Sequence, residues 1–324
     1  MISVQEAIPE ELDIRPFIVG FGNGVKEFGE ALPPNWAEER LESVRRKEEF
    51  CYAAVEGERI LGIVQFSEQD GRGSAFVSWG DTAPTVEMLK LLVKEYVEKM
   101  PRDIWLRISG IHPNIVEETM ELASSEFGFE RKSRLEMAAD LTSPPETTQP
   151  EGNFATVSIT EQTEETLSRL DWESYAGTVD AGMFANSAED NRKLFRSLLS
   201  GEYGPVITNA SRCVMADGKP VALIAVSDIG ESAFLADIAV LPEYRKRGLG
   251  KFLLTNAMRE ATGAKKKKMT LWVSEDNGPA RALYASLGFR ELRVGTYYVR
   301  KGGMNGADKK TSDGADGKAA MPDM

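Results

Sequence analysis

The chain has 324 residues, with 39 Lys and Arg against 51 Asp and Glu, a net charge of −12. Such an acidic chain repels phosphate backbones, which excludes nucleic acid as the main partner. Two cysteines cannot build a disulfide framework, and the single histidine, His112, leaves little for a metal site or a histidine-based triad. Hydrophobic residues at 42% are enough to fill globular cores, and about 100–200 residues per domain gives two domains. No uninterrupted apolar stretch approaches the roughly 18–20 residues that span a bilayer. The start, MISVQEAIPEELDIR, lacks a basic segment followed by an apolar core, so no signal peptide is expected. The expectation is a cytoplasmic protein without membrane partners, monomeric or homodimeric.

Taken in chain order, Phe50–Phe76 reads as strand, polar turn (EGER), strand, turn, and a third strand opening on Ser-Ala-Phe. TVEMLKLLVKEYVEKM then places Val86, Leu89, Leu92, Val93 and Val97 at helical spacing. IWLRISG reads as a strand, NIVEETMELASSEFGF as a helix ending near Gly128, and a closing strand follows. Thr142–Asn153, TSPPETTQPEGN, has linker composition. Arg212–Phe234 then repeats the strand–turn–strand–turn plan, again reaching Ser-Ala-Phe. KFLLTNAMREA carries Leu253, Leu254, Ala257, Met258 and Ala261 on one helical face, MTLWVS is a strand, and GPARALYASLGF is a helix stopped at Gly288. After Lys301, Gly, Asp and Lys dominate, as in a disordered tail.

The two blocks are copies. Cys51 matches Cys213 at an offset of 162, Ser74 matches Ser232 at 158, and Phe127-Gly128-Phe129 matches Leu287-Gly288-Phe289 at 160. A period of a whole domain implies tandem duplication. The expected architecture is α/β (α+β), two tandem domains, each a mixed, mostly antiparallel sheet flanked by helices. Its boundaries are 1–141, a linker at 142–153, 154–301, and a tail at 302–324.

Phe234–Lys251, FLADIAVLPEYRKRGLGK, carries the chemistry. A strand (Leu235–Val240) ends at Pro242, and a basic turn, Arg245-Lys246-Arg247-Gly248-Leu249-Gly250, leads into a helix. Amides of a first helical turn lack intrahelical partners, and the helix dipole adds partial positive charge there. Glycines let a bulky anion approach the backbone. Together these make a diphosphate cradle that differs from both common nucleotide loops.

IAVLPEYRKRGLGKFLL resembles the acetyl-CoA signature of the GCN5-related N-acetyltransferase (GNAT) superfamily. Asn277, the run Ala280-Arg281-Ala282-Leu283-Tyr284 and Leu287-Gly288-Phe289 are similar to that family's second motif. The resemblance implies two acyl-CoA N-acyltransferase domains with acetyl-CoA as co-substrate and no metal. Ile238, Ala239 and Val240 would pair with the pantetheine arm. Arg245, Lys246, Arg247, Gly248, Leu249, Gly250 and Lys251 would hold the pyrophosphate. Asn277, Ala280 and Tyr284 would lie toward the thioester, with Tyr284 protonating the leaving thiolate.

The general base is less clearly marked. Asp237 is an acid in an otherwise apolar strand and needs a partner there, so it is the candidate. Strand alternation groups it with Leu235 and Ala239, opposite Ile238 and Val240. Trp272 stands where some relatives place a Glu. Asp171–Phe184 holds Glu173, Tyr175 and Asp180 in the region that usually lines the acceptor site, where charge suits a cationic amine.

Other features carry less. Lys265–Lys268 reads as a solvated helix C-terminus, and Cys51 and Cys213 as buried free thiols. The first copy has no basic cradle: DTAPTVEMLK stands in its place, and Glu121 falls near the position of Tyr284. That copy is expected to keep the fold without binding acetyl-CoA and to wall part of the acceptor cleft.

The expected activity is direct transfer of an acetyl group from acetyl-CoA to a primary amine of a small acceptor in a ternary complex. The alternative is a non-catalytic CoA-binding sensor or assembly module. A longer acyl chain also fits, because Ala236 and Ala239 are small.

Overall fold

The structure, a computed structural model, describes residues 1–27, 33–69, 71–109, 117–147, 149–150, 152–181, 183, 185 and 187–302. His112, Phe184 and the tail beyond Gly302 lie outside the described residues. The chain divides into two compact units, Met1–Lys132 with Thr296 onward, and Ser133–Gly295.

In chain order the elements begin with β1 (Ser3–Glu6), α1 (Arg15–Glu27), α2 (Trp36–Arg45), β2 (Phe50–Glu56), β3 (Arg59–Gln69) and β4 (Arg72–Trp79). Next come α3 (Val86–Lys99), β5 (Trp105–Ser109), α4 (Glu117–Ser125) and β6 (Glu130–Asp140). The second set is β7 (Ala155–Ser158), α5 (Glu164–Tyr175), α6 (Ala188–Ser200), β8 (Arg212–Ala216), β9 (Lys219–Ile229) and β10 (Ser232–Val240). It ends with α7 (Leu249–Gly263), β11 (Lys268–Ser274), α8 (Gly278–Ser286) and β12 (Arg290–Arg300). The expected meanders, helices and closing strands are all present, and both sheets are mixed and mostly antiparallel.

Neighbours in the first unit's sheet run β1, β2, β3, β4, β5, β12, and in the second unit's sheet β6, β11, β10, β9, β8, β7. The parallel pairs are β4 with β5 and β10 with β11. β6 ends the first copy in sequence, yet it pairs with β11 from Asp140↔Lys268 to Arg134↔Ser274. β12 ends the second copy, yet it pairs with β5 from Tyr297↔Ser109 to Arg300↔Leu106. Each copy's last strand therefore completes the sheet of the other unit. The sequence copies and the compact units differ by that one strand apiece. Alternation along a strand sets which face is buried, and it leaves open which edge the strand joins.

In the second unit β9 shows how the sheet is sandwiched. Ala222, Ile224 and Val226 join the core under α7 and α8, while Leu223 and Ala225 join the core under α5 and α6. The period of two sends successive side chains to opposite faces. The turn before β9 uses Asp217 (φ 49°) and Gly218 (φ 75°), both left-handed, which suits a two-residue hairpin. The apolar face of α7 is the expected one: Leu253, Leu254, Ala257, Met258 and Ala261 are all buried. Burying each of the larger three contributes about 1.5–3 kcal/mol before entropy is counted.

The first unit repeats this arrangement, with α3 and α4 over Tyr52, Ala54, Val64 and Phe66, and α1 and α2 over Cys51, Ala53, Val55 and Ile63. Cys51 and Cys213 are buried free thiols. Burial pushes the Cys213 thiol up to about 12 and raises that of Cys51 as well.

The lysine run is not a solvated helix end. α7 stops at Gly263, and Lys265 takes a left-handed turn (φ 60°). Lys266 is then paired with Asp228 and donates to the Gly230 carbonyl at 2.7 Å, while Lys267 pairs with Glu231. These pairs tie the turn before β11 to the β9–β10 turn.

Candidate active site

β10 and β11 are laddered only from Ser232↔Lys268 to Phe234↔Thr270. Beyond Phe234, β10 keeps its pairing to β9 alone, out to Val240↔Ala222. The register with β9 slips between Leu235 and Asp237, so Ala236 is a bulge. A bulge bends and twists its strand, which opens a gap toward β11. The main-chain groups of Ile238, Ala239 and Val240 lie along this opened stretch, where an extended amide-bearing ligand could pair with them.

The bulge also corrects the strand phase. Leu235, Ile238 and Val240 face the α7 side, while Ala236 and Ala239 face α5 and α6. Asp237, which accepts from Tyr175 of α5, does share a side with Ala239, as expected, but Leu235 does not.

After β10, Pro242–Tyr244 makes a single 3-10 turn and the basic loop begins. Gly248 is the N-cap of α7, with φ 81° and ψ 0°, and no side chain caps the helix there. By contrast α5, α6 and α8 are capped by Thr163, Ser187 and Asn277. The first intrahelical bond of this turn runs from the Phe252 amide to the Gly248 carbonyl at 2.9 Å. The amides of Leu249, Gly250 and Lys251 therefore have no acceptor within the helix. Lys246, Arg247 and Lys251 are exposed beside them, with the Arg247 guanidinium 5.1 Å from the Tyr244 ring centroid. The Leu249 side chain is buried in the core, so only its main chain can meet a ligand. Arg245, though exposed, is tied to the main chain: it donates to the Val240 carbonyl at 3.1 Å and to the Ser174 carbonyl. Its guanidinium thus anchors the loop to the end of α5.

A cavity of about 340 Å³ opens between α5, α6, β10, β11 and α8. Its wall includes Asp171, Tyr175, Asp180, Asp237, Ile238 and Tyr284. Asp237 Oδ1 accepts from Tyr175 Oη at 3.1 Å. Asp171, on the same helix as Tyr175 and one turn earlier, accepts at Oδ2 from Asn191 Nδ2 at 2.9 Å. The remaining oxygens, Asp171 Oδ1 and Asp237 Oδ2, find no other donor, and the two carboxyls are in hydrogen-bonding contact. Such a contact requires one of them to hold a proton. Burial and the second carboxyl raise Asp171 well above the usual carboxylate range. Asp237 is also raised by burial, but hydrogen bonds from Asp171, Tyr175 and the Ile238 amide oppose that rise. The shared proton therefore favours Asp171 over Asp237.

Tyr284 stands on α8, its ring 5.8 Å from that of Phe289. Burial and the nearby Asp237 and Asp180 push its phenol up, so it stays protonated across the physiological range. Asn277 Oδ1 accepts from the Ala280 amide at 3.1 Å, and its Nδ2 donates to Asp180 Oδ2 at 2.7 Å. Ser274 Oγ donates to the other oxygen of Asp180.

The acetyltransferase (GNAT) family model matches residues 165–289. An uncharacterised N-acetyltransferase of Archaeoglobus fulgidus is 30% identical over 130 residues, 38% of this chain and 84% of the relative. The chain belongs to the GNAT acetyltransferase family. The alanine N-acetyltransferase of ribosomal protein bS18 from Escherichia coli K12 is 38% identical over 84 residues, 25% of this chain and 55% of the relative. The chain thus spans about half the length of the first curated relatives it matches. Among solved structures, a tandem GNAT protein from the clavulanic acid biosynthesis pathway aligns with TM-score 0.50 and 14% identity. That alignment covers 94% of this chain and all of the other, and it shows the tandem GNAT fold.

Within this GNAT framework, the structure gathers Asp237, Tyr284, Tyr175 and Asp180 around one cavity, with Trp272 in its wall beneath the Arg293 guanidinium, 5.4 Å from the ring centroid. Glu173 is exposed and absent from the wall. Asp171, Glu173 and Tyr175 belong to helix α5. Three wall residues were missed: Asp171, Asn191 and Arg134, whose Nη2 donates to the Trp272 carbonyl at 2.8 Å. The i, i+4 spacing of Asp171 and Tyr175 was the available signal for the first. Asn191 and Arg134 come from other elements and leave no local trace.

In the first unit the position matching Tyr284 is Ser124 rather than Glu121. Phe129 donates to the Ser124 carbonyl as Phe289 does to that of Tyr284, and the Phe127 and Leu287 amides repeat the match. The Ser124 hydroxyl turns back to the Met120 carbonyl at 2.8 Å.

Among the described residues no cluster of His, Cys, Asp or Glu could hold a metal ion, and no helix is long and apolar enough to cross a membrane.

Proposed function

We propose that the second unit transfers an acetyl group from acetyl-CoA directly to a primary amine of a small acceptor. The observation that carries this reading is the uncapped, glycine-led start of α7 beside the opened edge of β10. The residues fit the donor. The main chain of Ile238, Ala239 and Val240 suits the pantetheine amides. The amides of Leu249, Gly250 and Lys251, with Lys246, Arg247 and the Lys251 side chain, suit the diphosphate. Arg245 contributes by holding this loop to α5.

The donor supplies an acetyl thioester: as the amine nitrogen bonds to the acetyl carbon, the carbon–sulfur bond breaks and the thiolate needs a proton. Tyr284 Oη holds that proton, since burial keeps it on the phenol. General acid help of this kind is worth about 10²–10⁴-fold. Asp237, where hydrogen bonds from Asp171, Tyr175 and the Ile238 amide favour the carboxylate against burial, is the group to accept the proton an ammonium must lose. Asn277 and the Ala280 amide are bonded to each other, which fixes the start of α8 and so the place of Tyr284. Holding both reactants in one site supplies the larger share of the acceleration.

The first unit is proposed to keep the fold without binding the donor. Its α3 starts behind Thr85, whose own hydroxyl accepts from the Met88 amide at 3.1 Å, and no basic loop precedes it.

Calorimetry with CoA tests the donor site, and thiol release from acetyl-CoA across a panel of amines tests the transfer. Wild type should bind CoA, and Gly248→Val should weaken that binding sharply, because a branched side chain is strained at φ 81°. No CoA uptake by wild type sinks the proposal. Uptake without thiol release from any amine leaves a CoA-binding module in its place.

A further inference from the structure

Of the three carboxyls in the cavity wall, Asp171 and Asp237 form a pair with no cation between them. Asp171 is 8% exposed and reaches the cavity from α5, while Asp237 reaches it from the bulged strand β10. Each is fixed on one side: Asp171 by Asn191, itself anchored to the Ser168 carbonyl at 2.8 Å, and Asp237 by Tyr175. Each is left with one oxygen that has no donor in the protein beyond the proton they share. The other titratable groups of the wall are Tyr175, Asp180, Tyr203 and Tyr284, none of them positive, and Arg134. Arg134 is the one cation among the described wall residues, and its charge opposes the rise of the Tyr284 phenol. Two buried carboxyls cannot both ionise without a counter-charge.

We propose that Asp171 and Asp237 form the ammonium subsite of the acceptor, and that the acceptor is a small arylalkyl or alkyl primary amine with no carboxylate beside its nitrogen. The proposal rests on the acetyl-transfer reading above and names its acceptor class. An ammonium lodged at the pair replaces the shared proton, and both carboxyls can then ionise. If the ammonium instead passes a proton to Asp237, the amine becomes neutral and the pair again holds one proton. In both cases the amine and the pair together start with four exchangeable protons, finish with three, and release one to solvent. The rest of the wall suits an apolar body, with Trp172, Phe195, Leu198, Phe234 and Trp272 around the acids. A carboxylate on the α-carbon would be held against the pair and repelled.

The test uses the full chain with acetyl-CoA and three probes: 2-phenylethylamine, phenylalanine, and a peptide with a free N-terminal alanine. Thiol release reads turnover. Calorimetry of 2-phenylethylamine, with CoA present, in two buffers of different ionisation enthalpy reads proton release. The expected result is turnover of 2-phenylethylamine well above the other two, with about one proton released on binding. Asp171→Asn should raise the KM for the amine by about 10- to 150-fold, as loss of one charge-assisted hydrogen bond does. The KM for acetyl-CoA should be unchanged. Turnover of the peptide or of phenylalanine in preference to the amine overturns the acceptor class, as does amine binding without proton release. The proton measurement needs only wild type, so it stands even if Asp171→Asn fails to fold. CoA binding with no turnover of any amine overturns the acetyl-transfer reading itself, a different result from selective turnover of the wrong probe.

Discussion

Asn277 gives a prediction whose size follows from two hydrogen bonds. Its Oδ1 caps α8 through the Ala280 amide, and its Nδ2 satisfies the buried Asp180 carboxylate at 2.7 Å. Replacement by Ala removes the cap, at about 0.5–2 kcal/mol. It also strips a donor from a buried carboxylate, at about 1–3 kcal/mol. Asn277→Ala should therefore lose about 1.5–5 kcal/mol. Asn277→Ser keeps a capping oxygen and should recover about 1 kcal/mol of that. Asn277→Asp also keeps the cap but sets a second carboxylate against Asp180, so it should be destabilised most at neutral pH and less in acid. Urea titrations of the three variants, each with an Asp180→Ala partner, give the coupling directly. A loss under about 0.5 kcal/mol for Asn277→Ala, or a coupling to Asp180 below that size, would show that Asn277 does not join α8 to the segment before α6.

Tyr284→Phe should lower kcat by about 10²–10⁴-fold while CoA affinity stays within a few-fold, and an unchanged kcat across pH would remove the acid role. With its phenol raised by burial, Tyr284 should not limit activity on the alkaline side below about pH 10. Asp171 holds a proton in the folded protein that the unfolded chain releases near pH 4, so its contribution to stability is full below that point and declines as pH rises toward its raised value. The stability of wild type relative to Asp171→Asn should thus fall from pH 4 to pH 8 in urea titrations, and a pH-independent difference would count against a protonated Asp171. Cys213, pushed up to about 12, should have about one molecule in 10⁴ as thiolate at pH 8. Ellman's reagent should label neither cysteine in the native protein and both after unfolding, so rapid labelling without denaturant would contradict their burial.

Much of this molecule was written locally. Alternation of two along Val221–Val226 and spacing of three to four along Leu253–Ala261 report which faces are buried, because side-chain direction follows the backbone repeat. The cradle was legible for the same reason: glycines, cations and a helix start lie within one short stretch, Arg245 to Lys251. Local pattern could also mislead. Alternation placed Leu235 beside Asp237, and only the slipped register with β9 reveals that Ala236 is an extra residue. Arg245 reads locally as one more phosphate ligand, and its bonds to the Val240 and Ser174 carbonyls are legible only in the tertiary structure.

The sequence by itself determined the duplicated α/β plan, the two faces of each sheet, the loop that opens α7 and the candidacy of Asp237 and Tyr284, since each depends on residues near one another in the chain. The tertiary structure alone decided that Glu130–Asp140 and Arg290–Arg300 each complete the other unit's sheet, and that Asp171, Asn191 and Asp237 meet at one cavity. Strand edges offer the same amides and carbonyls whatever their side chains, and a carboxyl's proton depends on neighbours brought from distant segments. Neither property is carried by the order of residues in any one stretch.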